Sequence, residues 1–421
     1  MISVPFIYFS LIAFFLYRRH KRLDIATFIA IIYATSGFFS IIMEENGLSE
    51  HPSYSITFEA CLFYCGLLTI CLIPFIFYSD SLIKDIRPVK NEKLLRIIAK
   101  IDVVWMLLTV FFSWSEFYGV ITGDMGALRN ALYAGTAESG YMVSLPSPLR
   151  FLLSLMGLLF GCSWVHLFLA FFSKLIQKMP NKYFFMFMAA SLQRVWTAVL
   201  GVDRSGVAEY VLSFIAILIF FWPFMERKFK RNLGFVSIPI FVGIGWYLVS
   251  MTMSRFGGKL GDDTEAVGGS LIYYLGSSYP EFSYFFDNVR HPYTSLNLLF
   301  PFISKYILGS DLVTGVVLNQ YIEGKTGVFT GVFLTYIGQI QLTAGLVVAV
   351  VFCILFCVLG CVFFKRIGQG SVSAKEAFIY LLFAMVMVLG LFSYYYQTPI
   401  ITASAVFFFF LFSRLGKKRS I

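Results

Sequence analysis

Residues Thr343–Phe364 read TAGLVVAVVFCILFCVLGCVFF, with Lys365 and Arg366 directly behind them. No side chain in the run is charged. A helix needs about 20 apolar residues to cross a hydrocarbon layer roughly 30 Å thick. In water such a run would have to be buried on every side. Cys353, Cys357 and Cys361 recur at i, i+4 and i+8 and share one helix face. A metal site there would need partners and charge compensation, so they read as small apolar packing residues.

Runs of this kind recur along the chain. Met1–Tyr17, Ile25–Met43, Ile56–Tyr78, Val103–Ile121, Phe151–Phe172, Tyr183–Val202, Val207–Met225 and Leu233–Met251 precede the quoted one, and Ala377–Tyr396 and Ile400–Phe412 follow it. Met1–Tyr17 lacks a basic leader and a small-residue cleavage site, so it reads as a retained helix. The chain is 58% hydrophobic and 13% charged, about half the charge of a soluble domain. The pattern predicts an all-α polytopic membrane protein with about eleven spans. All seven cysteines lie inside apolar runs, so no disulfide framework is expected.

The loops alternate in charge. One set comprises RRHKR, Lys84–Lys100, Lys174–Lys182, ERKFKRN, KRIGQGSVSAKE and the C-terminal tail. With the flanking Asp24, Asp80 and Asp102 it holds 24 of the 33 Lys/Arg and 7 of the 23 Asp/Glu, a net +17 against −7 for the remainder. Basic loops face the cytoplasm, which puts the N-terminus outside and the C-terminus inside. The overall +10 is thus a topology signal and an attraction to the lipid bilayer. No nucleic acid is needed to explain it.

The long polar interval Thr252–Leu342 divides the chain. Residues 1–251 carry the first eight spans, 252–342 form a long outward loop, and 343–421 carry the last three spans and the basic tail. Within the loop, Thr294–Leu308 reads as an amphipathic helix on the membrane surface. TGVFTGVFLTYIGQIQ is too polar for a full span and reads as a re-entrant segment, with Tyr336, Gln339 and Gln341 suited to sugar contacts. Interface aromatics account for Tyr336 as well.

Ionisable groups within spans are costly and mark function. Arg194, Glu59, Glu116 and His166 fall there, three of them in the outer half or at the midplane, and suggest an outward-opening cavity. A structural pair such as Arg194 with Glu116 is the plainer account. Asp203-Arg204-Ser205-Gly206 stands at the outer mouth of the sixth span, where a guanidinium can meet a phosphate; a polar turn explains it equally simply. Arg129, Arg150, Arg255 and Arg290 also lie outward, against the charge bias, and several guanidinium groups together suit a diphosphate. Glu281, Asp287, Glu323 and His291 supply carboxylates and an imidazole in the loop. No phosphate-cradling loop and no metal-ligand spacing is present, and Asp262-Asp263 reads as a solvated turn.

The layout resembles the bacterial O-antigen polymerase family, the oligosaccharide repeat-unit polymerases, which are themselves similar to the O-antigen ligases. The resemblance rests on the span count, the long late loop, Arg129 in GALRNALYAG, the Asp203–Gly206 tetrad, YYLGSSYPEFSYF and GVFTGVFLTYIGQIQLTAG. It implies an architecture like the GT-C type membrane glycosyltransferases. It also implies a multi-pass protein of the bacterial inner membrane with a periplasmic loop and no cofactor. The reaction implied is metal-independent, inverting transfer between undecaprenyl-diphosphate-linked oligosaccharides, building O-antigen, capsule or exopolysaccharide. A chain-length regulator and a flippase are the implied partners. His291 and Glu281 are then the candidate catalytic groups, and Arg204, Arg255, Arg290, Arg129 and Arg194 the diphosphate set. Asp203, Glu116, Tyr336 and Gln339 would line the substrate cavity. The rival readings are a ligase, a transporter or flippase of the lipid-linked glycan, and a structural subunit of an envelope-glycan complex.

Overall fold

The computed structural model describes residues 1–49, 51, 53–123, 145–256, 263–289, 297, 299–310, 321–324 and 334–415. In chain order the helices are α1 Val4–His20, α2 Ile25–Glu45, α3 Phe58–Phe77, α4 Glu92–Thr122, α5 Ser147–Phe160, α6 Ser163–Phe171, α7 Asn181–Ser191, α8 Gln193–Leu200 and α9 Ser205–Phe221. They continue as α10 Arg227–Phe256, α11 Asp263–Gly276, α12 Ser278–Asn288, α13 Pro301–Tyr306, α14 Tyr336–Ala344, α15 Leu346–Phe364, α16 Ala374–Leu389 and α17 Pro399–Leu415. The strands β1 Asp85–Arg87 and β2 Ser371–Ser373 form one short parallel pair.

Five stretches are long and apolar enough to cross a membrane: Ile25–Glu45, Phe58–Leu82, Asn181–Leu200, Ser205–Phe224 and Leu346–Gln369. A sixth arises if α5 and α6, bent by 61°, count as one broken span. The chain is therefore an all-α, membrane-embedded protein, with fewer qualifying spans among the described residues than the eleven expected. The α1, α16 and α17 helices have 17, 16 and 17 residues, short of the roughly 20 that a span needs. The long α4 and α10 open on charged turns, Glu92-Lys93 and Arg227-Lys228. Of the qualifying stretches, Ile25–Glu45 is 67% buried by protein and Leu346–Gln369 only 22%. The former is central and the latter presents residues such as Val347, 77% exposed, outward.

The chain folds into two compact units, Met1–Arg87 with Gly269–Thr402, and Pro88–Gly268 with Ala403–Ile421. The division falls at 268/269, inside the interval 252–342. The amphipathic segment expected at 294–308 is helical at α13, which opens on Pro301, where the missing N–H costs nothing. Of the expected re-entrant segment, 326–333 lies outside the described residues. The rest is α14, whose Thr335 side chain caps Gly338 N–H at 3.3 Å.

In the first unit, α1 and α2 pack backbone to backbone. A Cβ on Gly37 would lie 2.6 Å from Phe6 N, and one on Gly276 would lie 2.5 Å from Phe39 O. Ser40 Oγ donates to Gly276 O at 2.6 Å. Small residues allow this approach and hydrogen bonds hold it, as membrane helices require. Overpacking costs about 1–3 kcal/mol, and here the obstacle is backbone. Gly37→Ala is expected to lower the unfolding midpoint in detergent measurably. A midpoint equal to wild type would mean that α1 gives way freely.

At one end of this unit α1, α2 and α3 are tied by two buried carboxylates. Asp24 caps α2 through Thr27 N–H at 2.9 Å, receives Ser79 Oγ at 2.5 Å, and lies 2.6 Å from His20 Nδ1. Asp80 accepts from Ile25 N–H at 3.0 Å, Arg22 at 3.2 Å and Tyr380 Oη at 3.2 Å. The β1–β2 pair lies on the segments that follow α3 and α15. Glu376, paired with Arg366 at 3.0 Å, completes a capping box with Ser373 at the start of α16. Both segments belong to the basic loop set. In the second unit, Gln177 exchanges two hydrogen bonds with Val89, at 2.9 and 3.1 Å, and Lys90 N–H donates to Leu415 O. These segments too belong to the basic set.

Candidate functional site

The opposite end of the first unit, where α1 and α3 begin and α2 ends, gathers polar chain. The segment after α2 holds His51 and Tyr54 and returns into α3 at Thr57, whose side chain caps Ala60 N–H at 3.2 Å. Against it stands α12. Its first turn carries Glu281, where the helix N-terminus favours negative charge. The neighbours Tyr279, Pro280, Phe282 and Ser283 are buried, and Tyr64 packs on the Tyr279 and Phe282 rings at 4.8 and 5.3 Å. The helix cannot rotate without exposing that aromatic face.

Glu281 is itself 1% exposed. His51 Nε2 lies 3.5 Å from its Oε2, and the His51 ring stacks on Tyr284 at 3.4 Å with 11° between planes. Tyr54 Oη lies 2.5 Å from Asp287 Oδ2 and 2.8 Å from Ser283 O, and Thr57 Oγ1 donates to Asp287 at 3.0 Å. Burial, then the hydrogen bond to Asp287 and its charge, push the Tyr54 phenol above its usual range. These bonds fasten the segment after α2 to α12. They leave a cavity of about 240 Å³ walled by Met1, Glu44, His51, Tyr54 and Glu281 among others. A carboxylate beside an imidazole, withdrawn from water, is equipped for general acid–base work. Among the described residues the lining holds no Lys or Arg side chain.

The other expected residues are distributed as follows. Arg129, Arg290 and His291 lie outside the described residues, as does the side chain of Arg255. Arg194, on α8, directs Nε and Nη2 at Glu209 Oε2, each at 2.9 Å, with Asp203 Oδ2 at 3.8 Å. Its nearest carboxylate among the described residues is therefore Glu209, where Glu116 was expected; Glu116 is half-buried on α4. Gly206 makes room for the guanidinium, since a Cβ there would lie 2.7 Å from Arg194 Cζ. Asp203 accepts from Ser205 N–H at 2.9 Å and from its hydroxyl at 2.8 Å, turning the chain into α9 behind the half-buried Arg204. The tetrad and Arg194 are thus brought together in the second unit, while Glu281 belongs to the first.

Tyr336 is fully buried, and a Cβ on Gly390 would lie 2.5 Å from its ring. Gln339 accepts Tyr394 N–H at 2.6 Å and donates to Gln397 at 2.6 Å. Gln339 thus spends its amide on the 390–397 turn, whereas Tyr336 meets that turn through its ring and its N–H, which donates to Gly390 O at 2.8 Å, and its buried hydroxyl receives no hydrogen bond from any described group. Glu59 lies in the first turn of α3.

Sequence reasoning passed over His51, Glu44 and Glu209. His51 and Glu44 sit in EENGLSEHPSYS, where net acidity was the visible feature. Glu209 lies three residues beyond Gly206, on the same helix face. That spacing was the available signal. Compared with protein-family models, with curated proteins and with solved structures, the chain matches none.

Proposed function

We propose that this chain is a membrane glycosyltransferase that polymerises undecaprenyl-diphosphate-linked repeat units into a surface polysaccharide. It would work at the periplasmic face of the bacterial inner membrane, with its N-terminus outside and C-terminus in the cytoplasm. What carries the reading is Glu281, a buried carboxylate beside His51 at a small polar cavity. In the reaction, Glu281 takes the proton of an acceptor sugar hydroxyl. The hydroxyl oxygen bonds to the donor anomeric carbon, the bond from that carbon to the diphosphate oxygen breaks, and the lipid diphosphate leaves. Its developing charge calls for cations, the role assigned to Arg204, Arg255, Arg290, Arg129 and Arg194. A flippase would deliver the substrate and a chain-length regulator would limit the product.

A transporter of the lipid-linked glycan is the second reading, supported by the broken span α5–α6, since discontinuous helices build many transport sites. The purified full chain in lipid vesicles, supplied with one lipid-linked repeat unit, separates the readings. The polymerase lengthens the glycan on its carrier. Movement between leaflets without lengthening supports the transporter, and transfer of the glycan to a different lipid supports a ligase.

A further inference from the structure

The span α5–α6 is interrupted at Gly161-Cys162, and the backbone groups freed by the break must be satisfied inside the protein, because lipid offers no partner. Three of them are. Ser404 Oγ, from α17, donates to Leu159 O at 3.0 Å and accepts Cys162 N–H at 3.2 Å. The third, Phe160 O, receives His166 Nε2 at 2.7 Å. His166 Nδ1 faces Asp102 Oδ2, on α4, at 2.9 Å. Asp102 is 0% exposed and His166 1%. Asp102 Oδ1 is buried and receives no hydrogen bond from any described protein group.

These contacts set a proton count. A carbonyl only accepts, so Nε2 carries a hydrogen. The 2.9 Å contact between Nδ1 and Oδ2 then requires one further proton, on either atom. Imidazolium with carboxylate and imidazole with carboxylic acid are the same neutral pair. Without that proton, two lone pairs face each other around a buried negative charge, and the contact that aims the ring at Phe160 O is lost. A second proton has only Oδ1 to go to and leaves a net positive charge among the rings of Phe160 and Phe408, at 6.4 and 6.0 Å from the imidazole.

We propose that Asp102 and His166 form a proton-binding site built into the broken span, taking up and releasing one proton and coupling that exchange to the angle between α5 and α6. The pair has what such a site needs: isolation from bulk water, one free carboxylate oxygen, and a bond from the titrating ring to the break itself. Intramembrane Asp and His groups of this kind serve proton relays. Asp102 is the group facing the imidazole from α4. The groups facing from α17 are Ser404 and Phe408, neither of which titrates. On α7, Tyr183 lies under Arg96 and Lys182. On α9, Glu209 is turned to Arg194 and Tyr210 to Ser191. The proposal holds for an enzyme and a transporter alike.

The test uses the full chain in lipid nanodiscs, with spin-labelled unnatural amino acids replacing Leu107 on α4 and Phe151 on α5, which are 63% and 71% exposed. Double electron–electron resonance reads the distance between them from acid to alkaline pH. The expected result is two populations that interconvert with a one-proton dependence. Asp102→Asn supplies the comparison. Its amide donates to the Nδ1 of a neutral imidazole while Nε2–H stays on Phe160 O, so the break keeps its fastenings but loses the exchangeable proton. It is expected to show one population at every pH. A single pH-independent population in wild type would make the pair a fixed strut and overturn the proposal. So would a wild-type response surviving in Asp102→Asn. The wild-type series decides by itself if the variant does not fold.

Discussion

Glu281→Gln is expected to slow glycan elongation by about 10²–10⁴-fold, the usual contribution of a positioned general base, while the protein remains folded. Gln has the size of Glu and can still accept a hydrogen bond from His51 Nε2, so the 3.5 Å contact survives without the charge. What is lost is the ability to take a proton from a hydroxyl in the cavity. Elongation by purified protein and the unfolding midpoint in detergent are to be measured on the same preparation. Elongation within threefold of wild type would remove Glu281 from the chemistry. An equal fall in midpoint and rate would make the contact with His51 a structural bond and nothing more. Glu281→Asp keeps the charge but withdraws it by one methylene, so its rate is expected to fall between the two.

Asp24→Ala is expected to have the largest effect on stability, about 3–5 kcal/mol, the range found when one partner of a buried ionic arrangement is deleted. The change removes the cap on α2, worth about 1 kcal/mol. It also leaves the Ser79 hydroxyl and His20 without their acceptor, at about 1–3 kcal/mol for each buried donor left unmade. Asp24→Asn keeps one acceptor oxygen for Thr27 N–H and is expected to lose less than half as much. Titration of folded protein with a denaturing detergent gives both values. An alanine variant within 1 kcal/mol of wild type would mean that the α1–α2 turn is held by apolar packing alone.

Much of this architecture was legible in the chain because burial in lipid is a matter of composition. A run such as Leu346–Phe364 declares itself residue by residue, and so do the ends of helices. Thr57, Asp24 and the Ser373–Glu376 box are local signals that the structure uses as caps. The charge alternation grouped Lys84–Lys100 with KRIGQGSVSAKE, and β1 does pair with β2 across those two segments. Span counting was less secure. The α1, α16 and α17 helices, of 17, 16 and 17 residues, fall just short of the roughly 20 that a straight span needs.

The site was legible only in part. Glu281 stood out as a carboxylate in the long polar interval. His51 did not, because its meaning comes from a ring stacked on Tyr284, far away in the chain. Arg194 invited pairing with Glu116, but the absent side chain at Gly206 lets the guanidinium lie across α9 and reach Glu209. Gln339 carries polar atoms that suit a ligand, yet they serve the Tyr394–Gln397 turn, and Tyr336 is withdrawn from the surface altogether. Asp102 falls between the basic segment Lys84–Lys100 and the apolar run Val103–Ile121, and the continuous helix α4 carries it inward to His166.

By itself the sequence determined the membrane class, the helical content and the charged faces of the chain, since transfer free energies and local caps depend on residues taken singly or a few positions apart. Only the tertiary structure decided which carboxylate meets which base. Glu281 with His51, Arg194 with Glu209 and Asp102 with His166 come together because helix packing brings side chains far apart in the sequence, or on different helices, within reach of one another.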